Sequence, residues 1–364
     1  MGDESVEVSR RLLAWFDGAG RELPWRRERT PYRVWLAEVL LQQTRVETAL
    51  PYYERFLARF PTLSALAEAP LEDVLKLWEG LGYYARARHL HQAARQVQRE
   101  YGGQLPADYE ALRALPGVGP YTAGAVASIA FGQPVVAVDG NARRVLARLF
   151  AVEGDPRAPS VRRELEALAR ALLPADRPGA FNEALMELGA VVCLPRAPRC
   201  AACPLADLCQ AHRQGRETEL PWRAPRRALP HYDVTAAVLA RDDGRLLVAR
   251  RKLDDFLGGL WEFPGGKREK GESLEGCLAR ELAEELDIQV EVGERLLTLE
   301  HSYTHFGITL YAFRCRLLAG EPRCLDCAEV RWAAPAELEA LPMAVTDRRI
   351  ARWLGGSGGQ GEGG

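Results

Sequence analysis

The stretch Leu115-Pro116-Gly117-Val118-Gly119, followed by Tyr121-Thr122-Ala123-Gly124, decides how the first part of the chain folds. It separates two runs of helical spacing. Gly117 and Gly119 permit a tight turn, which leaves unpaired backbone N–H groups at the start of a helix over 121–131. Such a terminus suits a phosphate and fixes register on a nucleic acid without reading its sequence. On its own, a Gly-x-Gly between helices is equally an ordinary turn.

Working outward, apolar spacings of three and four recur over 34–41, 74–81, 145–150 and 165–173, with almost no strand alternation before Arg213. The run from Gln214 to Pro230 carries Arg216, Arg223, Arg226 and Arg227 with Pro221, Pro225 and Pro230, and is expected to be an exposed linker. Beyond it, strands over 233–241 and 246–250 flank the turn Asp242-Asp243-Gly244. A helix over 273–286 and a strand over 308–317 complete a mixed α/β pattern. The expected organisation is multidomain: an all-α domain over 1–213, the linker 214–230, an α/β domain over 231–354 and a disordered Gly-rich tail over 355–364.

Composition agrees with two cores. The chain has 364 residues, 47% hydrophobic and 27% charged, which excludes disordered and fibrous classes. It has no long uncharged apolar run, and its acidic start lacks a secretory pattern, so a soluble, cytoplasmic protein with no membrane partner is expected. Residues 1–213 hold 27 Lys/Arg against 25 Asp/Glu, a net +2, too small a bias to indicate a polyanionic partner.

Four of the eight cysteines, Cys193, Cys200, Cys203 and Cys209, crowd into one short loop with gaps of six, two and five residues. Zinc sites usually pair two short Cys-x-x-Cys knuckles, so this spacing better suits a [4Fe-4S] cluster. Cys277, Cys315 and the isolated pair Cys324 and Cys327 have no such company and are expected to be surface or packing thiols.

Two carboxylates stand out. Glu38 lies inside the apolar run Val34-Trp35-Leu36-Ala37-Glu38-Val39-Leu40-Leu41, where desolvation would raise its pKa toward that of a general acid; the plainer alternative is a solvent-facing position. Asp139 precedes Gly140-Asn141 and a helix, where taken alone it is an ordinary N-cap.

Together these segments resemble the MutY-type adenine DNA glycosylases of the helix-hairpin-helix superfamily, from about Leu12 to about Leu354. The resemblance is carried by Leu23-Pro24-Trp25-Arg26, Glu38 to Thr44, Trp78 to Arg88, the hairpin, Val138 to Asn141 and the four-cysteine loop. It implies a monomeric base-excision repair enzyme, nucleoid-associated in a prokaryote. The partner would be double-stranded DNA holding adenine opposite 8-oxoguanine or guanine, from which the flipped-out adenine is hydrolysed. By the same resemblance Glu38 protonates the adenine, Asp139 stabilises the sugar cation, and Tyr121 and Asn141 orient the pair. Trp25, Arg26 and Glu183 would line the adenine pocket, and Gln43 and Tyr83 would wedge into the duplex. Tyr121 stands where the related endonuclease III has its Schiff-base lysine, which implies a monofunctional enzyme that leaves an abasic site.

In the second domain, Gly266, Glu272 and Arg280-Glu281-Leu282-Ala283-Glu284-Glu285-Leu286 form a nearly complete Nudix box, with Asp287 where glycine is usual. Glu281, Glu284 and Glu285 at helical offsets offer oxygen ligands for Mg²⁺, or else a solvated acidic face. The resemblance implies that this domain reads 8-oxoguanine through Tyr303, Thr304 and His305. Two other readings remain at this point: a Nudix nucleotide pyrophosphatase with a DNA-binding appendage, and a non-catalytic damage-binding protein.

Overall fold

A computed structural model describes residues 2–222 and 228–356 of the chain, and no helix among them is long and apolar enough to cross a membrane. Arg223, Pro225, Arg226 and Arg227 of the expected linker, and residues 357–364 of the expected tail, lie outside the described residues. The chain divides into two compact units, Met1–Ala67 with Gln92–Arg226, and Glu68–His91 with Arg227–Gly364.

The first unit is helical: α1 (Gly2–Ala19), α2 (Pro24–Arg27), α3 (Pro31–Leu41), α4 (Val46–Arg59) and α5 (Leu63–Glu68) come before the excursion into the second unit. That excursion holds α6 (Leu71–Trp78) and the start of α7 (Ala85–Tyr101), whose remainder returns to the first unit. Then follow α8 (Tyr109–Arg113), α9 (Pro120–Phe131), α10 (Gly140–Leu149), α11 (Pro159–Leu172), α12 (Pro178–Val191) and the short α13 (Gln210–Arg213). One core gathers Leu12 and Phe16 of α1, Val145 and Leu149 of α10, Leu165 and Leu172 of α11, and Phe181, Leu185 and Leu188 of α12; Cys193, Cys203 and Cys209 pack at its margin.

Two glycines let helices close up around the future site. A Cβ on Gly124 of α9 would meet the Val136 carbonyl oxygen at 2.4 Å, and one on Gly189 of α12 would meet the Asn141 Cβ at 2.6 Å. Asn182, fully buried, secures the segment between them: its Oδ1 accepts from the Ala137 N–H at 3.0 Å and its amide donates to the Val135 carbonyl at 2.9 Å and Ser128 Oγ at 2.8 Å. The backbone entering Asp139 is therefore held from both sides.

The expected linker starts exposed, at Gln214 and Gly215, but does not stay so. Leu220 and Pro221 are buried, and the Leu220 carbonyl accepts from Arg148 Nε at 2.8 Å. Proline content carries no information about what covers the chain.

In the second unit, β1 (His231–Leu239), β5 (Gly307–Ala319) and β4 (Gln289–Ser302) form one sheet, with β1 parallel and β4 antiparallel to β5. The other sheet is antiparallel, in the order β3 (Trp261–Glu262), β2 (Leu246–Arg250), β6 (Glu329–Ala333). Leu278, Leu282 and Leu286 of α14 (Leu274–Leu286) pack on one apolar layer, and Ile350 and Ala351 of α15 (Val345–Gly356) on another, the arrangement of helices over sheet expected of a mixed α/β domain. Ser273 Oγ caps α14 by accepting from Gly276 N–H at 2.9 Å, and Asp287 ends it in the left-handed conformation, φ 58°, that the usual glycine would take. Helix α15 runs through Gly355 and Gly356, two residues of the tail whose composition predicts disorder.

Residues 68–91 join this unit through paired charges. Arg348, 5% exposed, donates to both Glu79 carboxylate oxygens at 2.5 and 3.1 Å, and Trp261 Nε1 donates to Glu72 at 2.7 Å. A second correction concerns Cys324 and Cys327, which form a disulfide with each other. Three residues apart on a turn, with Cα atoms 5.1 Å apart, they are close enough to bridge.

Candidate active site

Helix α3 is apolar almost all round, and Thr30 and Pro31 start it, so seven of its neighbours bury Glu38 with themselves. Its Oε2 accepts a 2.6 Å hydrogen bond from the Tyr121 hydroxyl, which also lies 3.0 Å from Met186 Sδ. Burial pushes the Glu38 carboxyl up to about 7 against the opposing pull of the Tyr121 donor, with the charge of Asp139 adding to the rise. Tyr121 itself is held well above its usual range by the same burial and by its acidic neighbours.

Asp139 is the N-cap of α10. Its Oδ1 accepts from Ala142 N–H at 2.7 Å and its Oδ2 from the Asn141 amide at 2.9 Å. Burial raises its pKa, and these donors oppose the rise. Asn141 Oδ1 in turn accepts from Arg144 at 2.8 Å, and Arg144 also donates to the carbonyls of Cys193 and Gly189, each at 2.7 Å. A chain of hydrogen bonds thus runs from the cysteine loop to the aspartate.

Glu38, Tyr121, Asp139, Asn141, Trp25, Arg26, Gln43 and Glu183 all line a single pocket of about 990 Å³ within the first unit. Trp25 is buried edge-on against Tyr53, with ring centroids 5.1 Å apart. Glu183 pairs with Arg26 at 3.1 Å and Arg29 at 3.0 Å, and Glu187 with Arg21 at 2.7 Å and Arg26 at 3.0 Å. Glu187, Arg21, Arg29, Met186 and Arg144 were missed by sequence reasoning. Glu183 and Glu187, one helical turn apart in apolar α12, carried the same signal that exposed Glu38: an acid embedded in an apolar helix.

The hairpin glycines lie outside this pocket. Gly117 alone takes a left-handed backbone, φ 72°, whereas Gly119 is extended, caps α9 without a side chain and has no atom within 4 Å of where a Cβ would stand. The two-glycine turn expected from sequence is therefore a one-glycine turn followed by an open helix start.

The four loop cysteines are free thiols, and three of them, Cys200, Cys203 and Cys209, feel the charge of Cys193. Burial pushes Cys203 up to about 11. Arg148 Nη1 lies 3.2 Å from Cys193 Sγ, a cation beside a ligand that must be an anion when bound. Among the described residues no three of these sulfurs lie within 4.8 Å of one another, the close approach that a single tetrahedral ion would require.

In the second unit, Tyr83 donates its hydroxyl to Thr304 Oγ1, and Tyr303 packs its ring against Phe306, His301 and Phe256; His305 is exposed. The box carboxylates are taken up by a cation: Arg280 reaches Glu272 at 2.9 Å, Glu281 at 3.0 Å and Glu284 at 3.1 Å. Among the described residues no three of these carboxylates converge within 4.8 Å, and Glu281 and Glu284 are paired with Arg280.

Comparison with known proteins bears on this geometry. A family model described as the HhH-GPD superfamily base excision DNA repair protein matches residues 36–171, and a NUDIX domain model matches 235–353. The adenine DNA glycosylase of Homo sapiens is 35% identical, across 94% of this chain and 72% of its own length. The chain belongs to the adenine DNA glycosylase family. The Buchnera aphidicola (Acyrthosiphon pisum) glycosylase is 30% identical over 85% of this chain and 86% of its own. A thermostable thymine-DNA glycosylase of known structure superposes with a TM-score of 0.53 at 31% identity, covering 58% of this chain and 97% of that one. The chain is thus a DNA N-glycosylase of base excision repair, a helix-hairpin-helix domain joined to a Nudix-like α/β domain.

Proposed function

We propose that this glycosylase removes adenine paired with 8-oxoguanine or guanine and leaves an abasic site without cutting the strand. The observation that carries the reading is the pairing, in one pocket, of a buried carboxyl held near neutrality with a hydrogen-bonded partner at a helix N-terminus. Glu38, half protonated near pH 7, supplies the proton that lets adenine depart as a neutral base. Asp139, kept acceptor-ready by Ala142 and Asn141, faces the positive charge that develops on the sugar. Trp25 offers the flipped base a flat apolar wall, and the Arg26–Glu183 pair offers it polar edges.

Hydrolysis without a Schiff base is supported by the pocket's chemistry: none of its lining residues is a lysine, and the position facing Glu38 is Tyr121. Gln43 and Tyr83 are both non-glycine residues in the left-handed region, φ 57° and 50°, the kind of strain that surrounding structure sustains where a side chain must be presented to a ligand. Each is assigned a wedge into the duplex. The open N-terminus at Gly119 suits a backbone phosphate.

Cys193, Cys200, Cys203 and Cys209 would hold a [4Fe-4S] cluster, which when bound braces the loop between α12 and α13. Arg148, bonded to the carbonyls of Leu194 at 2.7 Å and Pro195 at 3.2 Å, holds that loop on α10. Tyr303, Thr304 and His305 are assigned to reading 8-oxoguanine. The test is single-turnover base release from duplexes with adenine opposite 8-oxoguanine, guanine or thymine, with strand cleavage scored before and after alkali. Release from the first two, visible only after alkali, is expected; release opposite thymine at the same rate, or nicking without alkali, refutes the reading.

A further inference from the structure

The loop 252–259 of the second unit holds two large apolar side chains out in water: Leu253 is 51% exposed and Phe256 53%. The loop is nonetheless tightly built. Leu257 adopts a left-handed backbone, φ 60°, which a γ-branched residue takes only when its surroundings impose it. A Cβ on Gly258 would meet the Leu253 carbonyl oxygen at 2.4 Å. The Gly258 carbonyl accepts from Arg88 Nη1 at 2.8 Å, and Arg251, anchored on Glu262 at 2.6 Å, reaches the Phe256 carbonyl at 3.5 Å. Backbone strain and two arginines thus fix a turn whose outcome is apolar exposure, the reverse of what folding alone favours.

Phe256 is also the outer member of an aromatic group. Its ring stands edge-on to Tyr303 at 5.1 Å and tilted to Phe306 at 5.4 Å, and Tyr303 adjoins Thr304, which accepts from Tyr83. Asp254 and Asp255 precede Phe256, and Lys252, the loop's cation, is engaged by Asp326. The two carboxylates disfavour a sugar-phosphate strand at this tip, whereas an uncharged base face tolerates them.

We infer that Phe256, with Leu253 beside it, is a base-reading element that packs on the 8-oxoguanine-side strand next to Tyr303 and sets lesion specificity. The inference rests on the assignment of Tyr303 and Thr304 to 8-oxoguanine made above. The experiment measures equilibrium binding, by fluorescence anisotropy, of duplexes with a non-cleavable adenine analogue opposite 8-oxoguanine or guanine, and of an undamaged duplex. The proteins are the full chain, Phe256→Ala, Phe256→Tyr and Leu253→Ser, each checked by thermal melting. Loss of an aromatic contact with a base predicts weakening by about 5- to 100-fold for the 8-oxoguanine duplex in Phe256→Ala, recovery in Phe256→Tyr and a smaller loss in Leu253→Ser, with the undamaged duplex held within about 2-fold. An equal loss on all three duplexes, or none, overturns the inference while leaving the glycosylase reading intact. A wild-type protein that binds the 8-oxoguanine and guanine duplexes equally overturns the 8-oxoguanine assignment itself, and the loop's role with it.

Discussion

Replacing Glu38 by Gln separates the energetic cost of the acid from its function. Burial raises the Glu38 carboxyl from 4.5 to about 7, and one pKa unit corresponds to about 1.36 kcal/mol, so the ionised side chain weakens the first unit by about 3 kcal/mol relative to the neutral one. The sign follows from the raised pKa: below pH 4.5 the group is neutral folded and unfolded, and stability is lost as pH rises through the folded value near 7. Gln keeps the shape and an acceptor for the Tyr121 hydroxyl but never ionises. The Glu38→Gln variant is therefore expected to melt close to wild type at pH 4 and roughly 6–12 °C above it at pH 9, taking about 2–4 °C per kcal/mol for a domain of this size. Scanning calorimetry from pH 4 to 9 reads the difference, in which other titrating groups largely cancel. Base release by wild type in single turnovers should fall tenfold per pH unit above about 7, and should be nearly abolished at every pH in the variant. A melting difference that stays constant across the pH range would refute the assignment of a neutralised, buried acid.

Asp139→Asn retains a side chain able to cap α10 but removes the charge, so base release should drop by about 100-fold or more with melting little changed, read on alkali-treated gels. Tyr121→Lys places an amine beside Glu38 and should produce borohydride-trappable enzyme–DNA adducts and strand nicking without alkali. Gly189→Ala drives a methyl into Asn141 and should destabilise the first unit by about 1–3 kcal/mol in urea titrations while slowing base release. Arg348→Met removes one of the cations on the half-buried Glu79 carboxylate, leaving Lys76 beside it, and should cost the second unit about 1–3 kcal/mol, seen as earlier proteolysis of residues 227–364.

Helices α3, α9, α10 and α11 were legible because their apolar spacing is strong, and Glu38 was legible because a carboxylate interrupts an otherwise apolar helix. What could not be read was partnership. The apolar face of α6, Val74, Leu75 and Trp78, announces that something covers it, but periodicity does not say that the cover belongs to the second unit. Strand β4 escaped for a different reason. Its register shifts between Val292 and Leu297 break the two-residue alternation, so buried and exposed positions fall out of step. The Nudix box hid a partnership too: helical offsets place Glu281, Glu284 and Glu285 on one side, but do not say that Arg280, from within the same motif, pairs with Glu281, Glu284 and Glu272.

The two acids of the pocket show why identity of residue type says so little about role. Both are carboxyls, both are buried, and burial raises the pKa of each. Glu38 receives one hydroxyl donor in the middle of an apolar helix, whose own amides are all spent on intrahelical bonds. Asp139 sits at the start of α10, where the first amides have no intrahelical acceptor and turn to its carboxylate, and where the helix dipole favours negative charge. Burial favours the protonated form in both settings, but only the second supplies backbone and amide donors that hold the ionised form, so the backbone, by placing one acid mid-helix and the other at a helix start, sets the two carboxyls apart in the way the proposed roles of proton donor and charge stabiliser require.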